Sequence, residues 1–441
     1  MTVSKQESAG SEPSGAKRGA EARDWSWVEA SVWTERMVSA LGNGVKGGRW
    51  YSLMDKVWAP ATLTSAWTRV RSNGGAAGVD GESIERFEAR SEEYLAELSE
   101  ALRTGSYRPQ AVRRVEIPKG DGRTRPLGIP AVKDRIVQTA LKLVIEPIFE
   151  ATFRSTSYGF RPGRGCRDAL REVDDAIEGF PFVVDADIQG YFDSIPHERL
   201  MVRVEERISD GRVLDLIRSW LGADILRGLE RWTPVAGTPQ GAVISPLLAN
   251  IYLHPLDERM ASLGYRMVRY ADDFVVLCKS REEAEAALAE ISRWVAENGL
   301  HLHPDKTHVG DCRQPGQGFD FLGYRFEAGE RQVRTKSLDR LKDTIRAKTG
   351  RSRGDSLARI VADLNPVLRG WFGYFKHAHR YTFSSLDGMI RRRLRAILRK
   401  QDKRPGFGNS REDHEMWPND FFARAGLVAL NEAWLDARHS R

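Results

Sequence analysis

From Trp50 onward the sequence predicts an α+β fold whose last third turns wholly helical, on three observations. Short apolar runs, Phe182-Val183-Val184, Arg266–Tyr270 and 274–278, read as strands, and the last two flank the tight turn Ala271-Asp272-Asp273. Other apolar residues recur at helical spacing: Ile136, Val137, Ala140, Leu141 and Val144, and later Ala284, Ala287, Leu288, Ile291 and Val295. Beyond the Lys/Arg/Ser/Gly stretch at 348–354 the pattern is helical and strongly basic.

Each element follows from local chemistry. Residues 1–22 are poor in apolar side chains and read as disordered. A helix is expected over 25–41, broken by the glycines of 42–48. Residues 112–129 read as a hairpin, with extended arms about Lys119-Gly120-Asp121-Gly122. Pro147 marks the expected end of the following helix. Ser245-Pro246 reads as a helix start, Ser as N-cap and Pro at the first helical position. Gly299 closes the amphipathic helix that begins before Ala284.

The bulk properties exclude more than they select. A chain of 441 residues can hold two or three domains. Its 68 basic and 61 acidic residues leave +7, a lean toward polyanionic partners that fits many functions. Cys166, Cys278 and Cys312 are too scattered for a disulfide framework or a paired-cysteine metal site, which suits a reducing cytoplasm. No signal peptide and no membrane-spanning run is seen, so a soluble cytoplasmic protein with no membrane partner is expected.

The informative feature is a set of aspartates: Asp187 ends one apolar strand, and Asp272 and Asp273 sit between two others. Carboxylates held close together repel, so they take up protons or recruit divalent cations. Magnesium takes oxygen ligands, commonly one or two carboxylates plus substrate phosphates. An Asp-Asp pair in a turn is most often solvated, but apolar flanks make that an expensive place for charge without a counterion. The residues alone support a two-metal phosphoryl-transfer site.

Three boxes in order carry a resemblance. Tyr270-Ala271-Asp272-Asp273 matches the YADD box of reverse transcriptases. Asp187-Ile188-Gln189-Gly190-Tyr191-Phe192-Asp193 resembles the first carboxylate motif of the group II intron-encoded enzymes. Gly237-Thr238-Pro239-Gln240-Gly241, with Ser245-Pro246-Leu247-Leu248-Ala249-Asn250, is similar to the box between them. Leu364-Asn365-Pro366-Val367-Leu368-Arg369-Gly370-Trp371-Phe372-Gly373-Tyr374-Phe375 resembles the family's maturase segment, which retroviral, retron and telomerase enzymes lack. The likeness covers residues 50–435, without the endonuclease module found in some members.

That resemblance implies a right-hand polymerase: fingers, a palm whose antiparallel sheet carries the YADD hairpin, and an α-helical thumb. It divides the chain into an N-terminal extension (1–49), fingers and palm (50–328), thumb or maturase domain (329–405) and a C-terminal segment (406–441) that resembles a DNA-binding remnant. The implied catalytic residues are Asp187, Asp272 and Asp273, with two Mg²⁺ ions at Asp187, Ile188, Asp272 and Asp273. Asp185 is passed over because the aromatic pair after Gln189-Gly190 sets the register on Asp187, and Asp193 is given a structural role. Deoxynucleotide contacts are implied at Lys119, Arg125, Phe192, Gln240, Gly241 and Lys306, with the Phe192 ring excluding a 2′-hydroxyl. RNA or template contacts are expected at Arg161 and Arg164, in Tyr158-Gly159-Phe160-Arg161-Pro162-Gly163-Arg164-Gly165, and at Arg391, Arg392, Arg395 and Arg399. Trp371 and Tyr374 are expected in the core, and Phe321-Leu322-Gly323-Tyr324 on the primer side.

The implied function is RNA-directed DNA polymerisation joined to splicing and mobility of a group II intron. Its partners would be that intron RNA, an RNA template and a DNA primer or target. Two other readings remain open: a domesticated relative serving defence or CRISPR spacer acquisition, and a non-enzymatic splicing cofactor.

Overall fold

The computed structural model describes residues 24–118, 122, 124–352 and 354–439. At its centre lies a four-stranded antiparallel sheet in the order Arg266–Tyr270, Asp273–Cys278, Phe182–Asp187, His308–Asp311. Successive side chains of a strand face opposite ways, and here each face has its own core. Val184, Ala186, Phe274 and Val276 join one cluster; Val183, Val268, Val275 and Leu277 join the other. Helices Val132–Glu150, Ser245–Ser262 and Arg281–Glu297 supply the first cluster. The second draws on helices Cys166–Ile177, Leu357–Phe375 and Arg380–Gln401 and on the three-stranded sheet Phe319–Phe321, Tyr324–Glu327, Glu330–Val333.

Helix Val132–Glu150 is buried along nearly its whole length. It runs through Pro147, three residues past the stop the sequence predicts. Proline has no N–H, so the Leu143 carbonyl four residues back loses its helical donor. The Trp33 indole N–H fills that gap at 3.0 Å. A distant side chain thus makes the proline tolerable inside the helix. Val32 and Trp33 are part of the first core, so residues preceding Trp50 pack into it. Their helix is Glu35–Asn43, capped by the Thr34 hydroxyl, shorter at its start and longer at its end than the expected 25–41.

The predicted hairpin forms between Val112–Pro118 and Thr124–Ile129, in the register Ile117 opposite Arg125. It extends into a four-stranded sheet through Ile225–Arg227 and Glu230–Trp232. Loop 237–241 closes against it: Gly241 has φ +106°, and a Cβ there would lie 2.4 Å from the Gly128 carbonyl oxygen. Only glycine admits that approach. Ser245 is the first residue of its helix, preceded by Ile244, rather than its N-cap. Its hydroxyl donates instead to the Pro239 carbonyl at 3.0 Å, which ties helix to loop.

The last third is helical as expected, with Leu386, Ile390, Leu394 and Ile397 buried along Arg380–Gln401. Its tail is stitched onto the same core. Asp387 accepts from the Leu430 and Asn431 amides, and Trp417, Phe422, Leu430 and Trp434 are buried. Hairpin sheet, central sheet and helical third reproduce the fingers, palm and thumb of a right hand. Trp33→Phe, which keeps the ring but leaves the Leu143 carbonyl unpaired, is expected to cost about 1–2 kcal/mol. Urea unfolding at an unchanged midpoint would contradict that account of Pro147.

Candidate active site

Strand pairing sets the geometry of the acidic cluster. Asp187 lies opposite Asp273, and Asp273 lies opposite Tyr270 on its other side. Asp185, Asp187 and Asp273 share the face that also bears Val183 and Val275. Burial, then Asp185, Asp272 and Asp187 as like charges, pushes the Asp273 carboxyl up to about 7. Asp185 is likewise pushed up to about 7 by burial and by Asp320 and Asp187. Asp272 is raised too, burial first, with Asp187 adding repulsion. Mutual repulsion in a partly buried site favours either protons or cations. One cation is already at hand: Lys306 Nζ lies 2.8 Å from Asp187 Oδ2.

Among the described residues no three carboxylates, thiols or imidazoles form a ready-made metal cage. Magnesium does not require one, since it is commonly held by one or two carboxylates with substrate phosphates and water. The oxygen-only donor set of Asp187, Asp272 and Asp273 fits that mode. Ile188 contributes differently from the aspartates. Its side chain is buried in the first core, which leaves only its backbone carbonyl for a metal.

Behind the turn lies a buried network that the sequence reading missed. Ala271 adopts φ +61°, a left-handed conformation uncommon for a residue with a side chain. Arg269, wholly buried, binds Asp257 through Nε at 2.7 Å and Nη2 at 2.5 Å. Its Nη1 donates to the Ala271 carbonyl at 2.8 Å and to Asn250 Oδ1 at 2.9 Å. Two signals were available: an arginine inside an apolar strand, and Asn250 and Asp257 seven residues apart on one helical face.

Several expected contacts fall near the cluster. Phe192 is half-buried and meets Tyr191 and Phe160 edge to face, with centroids 5.6 Å and 6.4 Å away. Gln240 Nε2 donates to Asp193 Oδ2 at 3.2 Å, giving Asp193 a structural partner. Gly241 supports a close backbone approach, but the neighbour is strand Thr124–Ile129. Arg125 is exposed on the hairpin, and Lys119 lies outside the described residues. On the thumb side, the Leu322 backbone opposes the rise of the Asp273 carboxyl, while Tyr374 Oη donates to the Leu322 carbonyl at 2.7 Å. Tyr374 and Trp371 pack against the second core, as expected of core aromatics.

The arginines divide. Arg161 is buried against Glu150 at 2.5 Å and donates to the Ser157 carbonyl, so it braces its loop and does not reach a template. Arg395 is buried as well, donating to the Trp417 carbonyl at 2.9 Å and Asn419 at 3.0 Å. Arg399 pairs with Asp413 at 2.5 Å and is mostly covered. These three are corrections to the expected nucleic-acid contacts. Glu150, Asp413 and Trp417 lie 11, 14 and 22 residues away along the chain, too far for local pattern to reveal. Arg164 is half-buried and Arg391 stands 3.9 Å from Asp387, whereas Arg392 is exposed.

Comparison with known proteins agrees with this geometry. Residues 117–326 match the family described as reverse transcriptase (RNA-dependent DNA polymerase). Residues 338–415 match the group II intron maturase-specific domain. The chain belongs to the group II intron-encoded reverse transcriptases. Protein YkfC of Escherichia coli K12 is 37% identical over 319 residues, 62% of this chain and 82% of that protein. Group II intron-encoded protein LtrA of Lactococcus lactis subsp. cremoris is 38% identical over 207 residues, 46% of this chain but 34% of LtrA. An uncharacterised 91 kDa protein in the cob intron of Schizosaccharomyces pombe is 37% identical over 198 residues, 45% of this chain and 24% of that protein. The chain therefore spans about a third and about a quarter of these last two relatives. As a reverse transcriptase it is a metal-dependent polymerase, and its maturase domain is an RNA-binding element. No helix among the described residues is long and apolar enough to cross a membrane.

Asp185 offers a test of the register. A carboxyl raised from its ordinary value to about 7 weakens the fold progressively as pH climbs from about 4 to 7. Asp185→Asn is therefore expected to stabilise the metal-free protein above pH 7, by roughly 1–2 kcal/mol after solvent screening, and not at pH 4. Urea midpoints across pH read this directly; equal midpoints at pH 8 would contradict it.

Proposed function

We propose that this chain copies RNA into DNA at Asp187, Asp272 and Asp273, and that its helical third binds a group II intron RNA. In this reading it assists splicing and supports mobility by reverse transcription primed at a DNA target, in the cytoplasm. The single observation that carries the reading is Asp187 paired across the sheet with Asp273, next to Asp272 in the turn whose Ala271 is left-handed. A helical domain matched by the maturase family follows in the same chain.

Two bound Mg²⁺ ions would activate the primer 3′-hydroxyl and stabilise the leaving pyrophosphate. The protein's residues prepare for that step. Asp187 and Asp272 serve as principal ligands, with the Ile188 carbonyl beside them and Asp273 as third carboxylate. Lys306, paired with Asp187 here, would assist the departing phosphates. Arg125 and Lys119 receive the deoxynucleoside triphosphate, the guanidinium in two-pronged fashion and the amine as a point charge. Phe192 lies under the sugar and leaves no volume for a 2′-hydroxyl, while Gln240 and Gly241 shape the nucleotide pocket's far side.

Template and intron contacts fall to Arg164, half-buried beside the Gly163 turn, and to Arg391 and the exposed Arg392 on helix Arg380–Gln401. Phosphate contacts of this kind make binding fall steeply with salt. The domain division at 49, 328 and 405 is part of the same proposal.

Primer extension on an RNA template tests the polymerase half. Wild type should extend with magnesium, Asp272→Ala should lose at least about a thousandfold, and an inert wild type would favour the non-enzymatic cofactor. Phe192→Ala is expected to raise ribonucleotide incorporation severalfold; unchanged sugar discrimination removes that role. Splicing of the flanking RNA at near-physiological magnesium, with and without protein, tests the maturase half, and no stimulation would sink it.

A further inference from the structure

The most unusual piece of backbone near the aspartates is the pair of left-handed residues Ala271 and Phe160, at φ +61° and +59°. Both carry side chains, and a non-glycine residue persists there only where its surroundings hold it. They lie on different segments that touch. A Cβ on Gly159 would stand 2.2 Å from the Ala271 nitrogen, so the backbone before Phe160 rests directly on the catalytic turn. The Tyr158 amide donates to the Arg269 carbonyl at 2.8 Å, and the Arg269 amide donates to Thr156 at 2.9 Å.

One side chain bridges the two segments from behind. Asn250, buried to 1% exposure on helix Ser245–Ser262, donates from Nδ2 to the Gly159 carbonyl at 2.8 Å. Its Oδ1 accepts from Arg269 Nη1 at 2.9 Å, and that same nitrogen reaches the Ala271 carbonyl at 2.8 Å. Asp257, one helical face along, holds the guanidinium at 2.5 Å and 2.7 Å. The Gly159 carbonyl is thereby linked through two side chains to the Ala271 carbonyl. Ala271 precedes the aspartates of the metal site. Phe160 follows Gly159, is 46% exposed, and sets its ring against Phe192.

We propose that Asn250 is a positioning residue that locks the catalytic turn to the Phe160 loop, so that metal geometry and sugar selection share one buried strut. The inference deepens the polymerase reading and rests on it. Asn250 touches neither substrate nor metal. Arg269 and Asp257 fix its amide in the orientation that serves both carbonyls. Phe160, through its ring, is then the outer wall of the position that Phe192 floors. A loop displaced by loss of the Gly159 bond would open that wall and tilt Asp272 at once.

Two variants of the full chain separate positioning from packing. Asn250→Ala removes both hydrogen bonds and leaves a void; Asn250→Leu removes the same bonds and fills it. Primer extension is read on an RNA template well below each variant's melting temperature. Both variants should need about threefold more magnesium for half-maximal rate, with kcat for deoxynucleotides down about tenfold. The ratio of ribonucleotide to deoxynucleotide incorporation should rise about threefold in both. A lower melting temperature with unchanged magnesium midpoint and sugar ratio would mean Asn250 is merely structural and overturn the proposal. If Asn250→Ala does not fold, the same two readouts in Asn250→Leu decide the matter either way. Wild type without magnesium-dependent extension overturns the polymerase reading and this inference together, a failure distinct from that of the variants alone.

Discussion

Asp187 and Asp273 face one another because strand Phe182–Asp187 pairs with Asp273–Cys278 in one register. A slip of one residue would turn every side chain of that strand to the opposite face. Val184 and Ala186 would leave one core, Val183 would leave the other, and Asp187 would turn into apolar packing. Two separate hydrophobic clusters therefore enforce the register that gathers the carboxylates. The cores supply the positional accuracy; the aspartates supply the charge that resists it.

That resistance explains the density of support around the turn. Like charges at the end of the sheet push it open, and the Arg269–Asp257 pair closes it from the first core. From the second core Tyr374 holds the carbonyl of Leu322, whose backbone opposes the rise of the Asp273 carboxyl. Fingers connect through a third route, where Gly241 lies against the Gly128 carbonyl and the Gly128 amide donates to Gln240 at 2.5 Å.

Much of this was legible in the sequence where local pattern carries the information. Alternating apolar runs marked the strands, helical spacing marked the buried faces, and three aspartates at strand ends marked the site. What stayed hidden was set by partners distant along the chain. Pro147 looks like a helix stop until Trp33 is placed over Leu143. Ser245 looks like a cap until its hydroxyl is seen to serve Pro239. Arg161, Arg395 and Arg399 look like phosphate ligands because an arginine's sequence neighbours do not disclose whether Glu150, Trp417 or Asp413 awaits it. Arg269 was overlooked for the converse reason, since a charge within a short strand draws less notice than two in a turn.

The central claim is that residues from two strands converge to hold divalent metal. Manganese soaked into crystals of the protein with primer, RNA template and an unreactive nucleotide gives the most direct measurement, through anomalous scattering. On this account two peaks are expected, both held by the carboxylates of Asp187 and Asp272. Peaks lying elsewhere, with Asp187 still bound to Lys306 and nucleotide present, would contradict it.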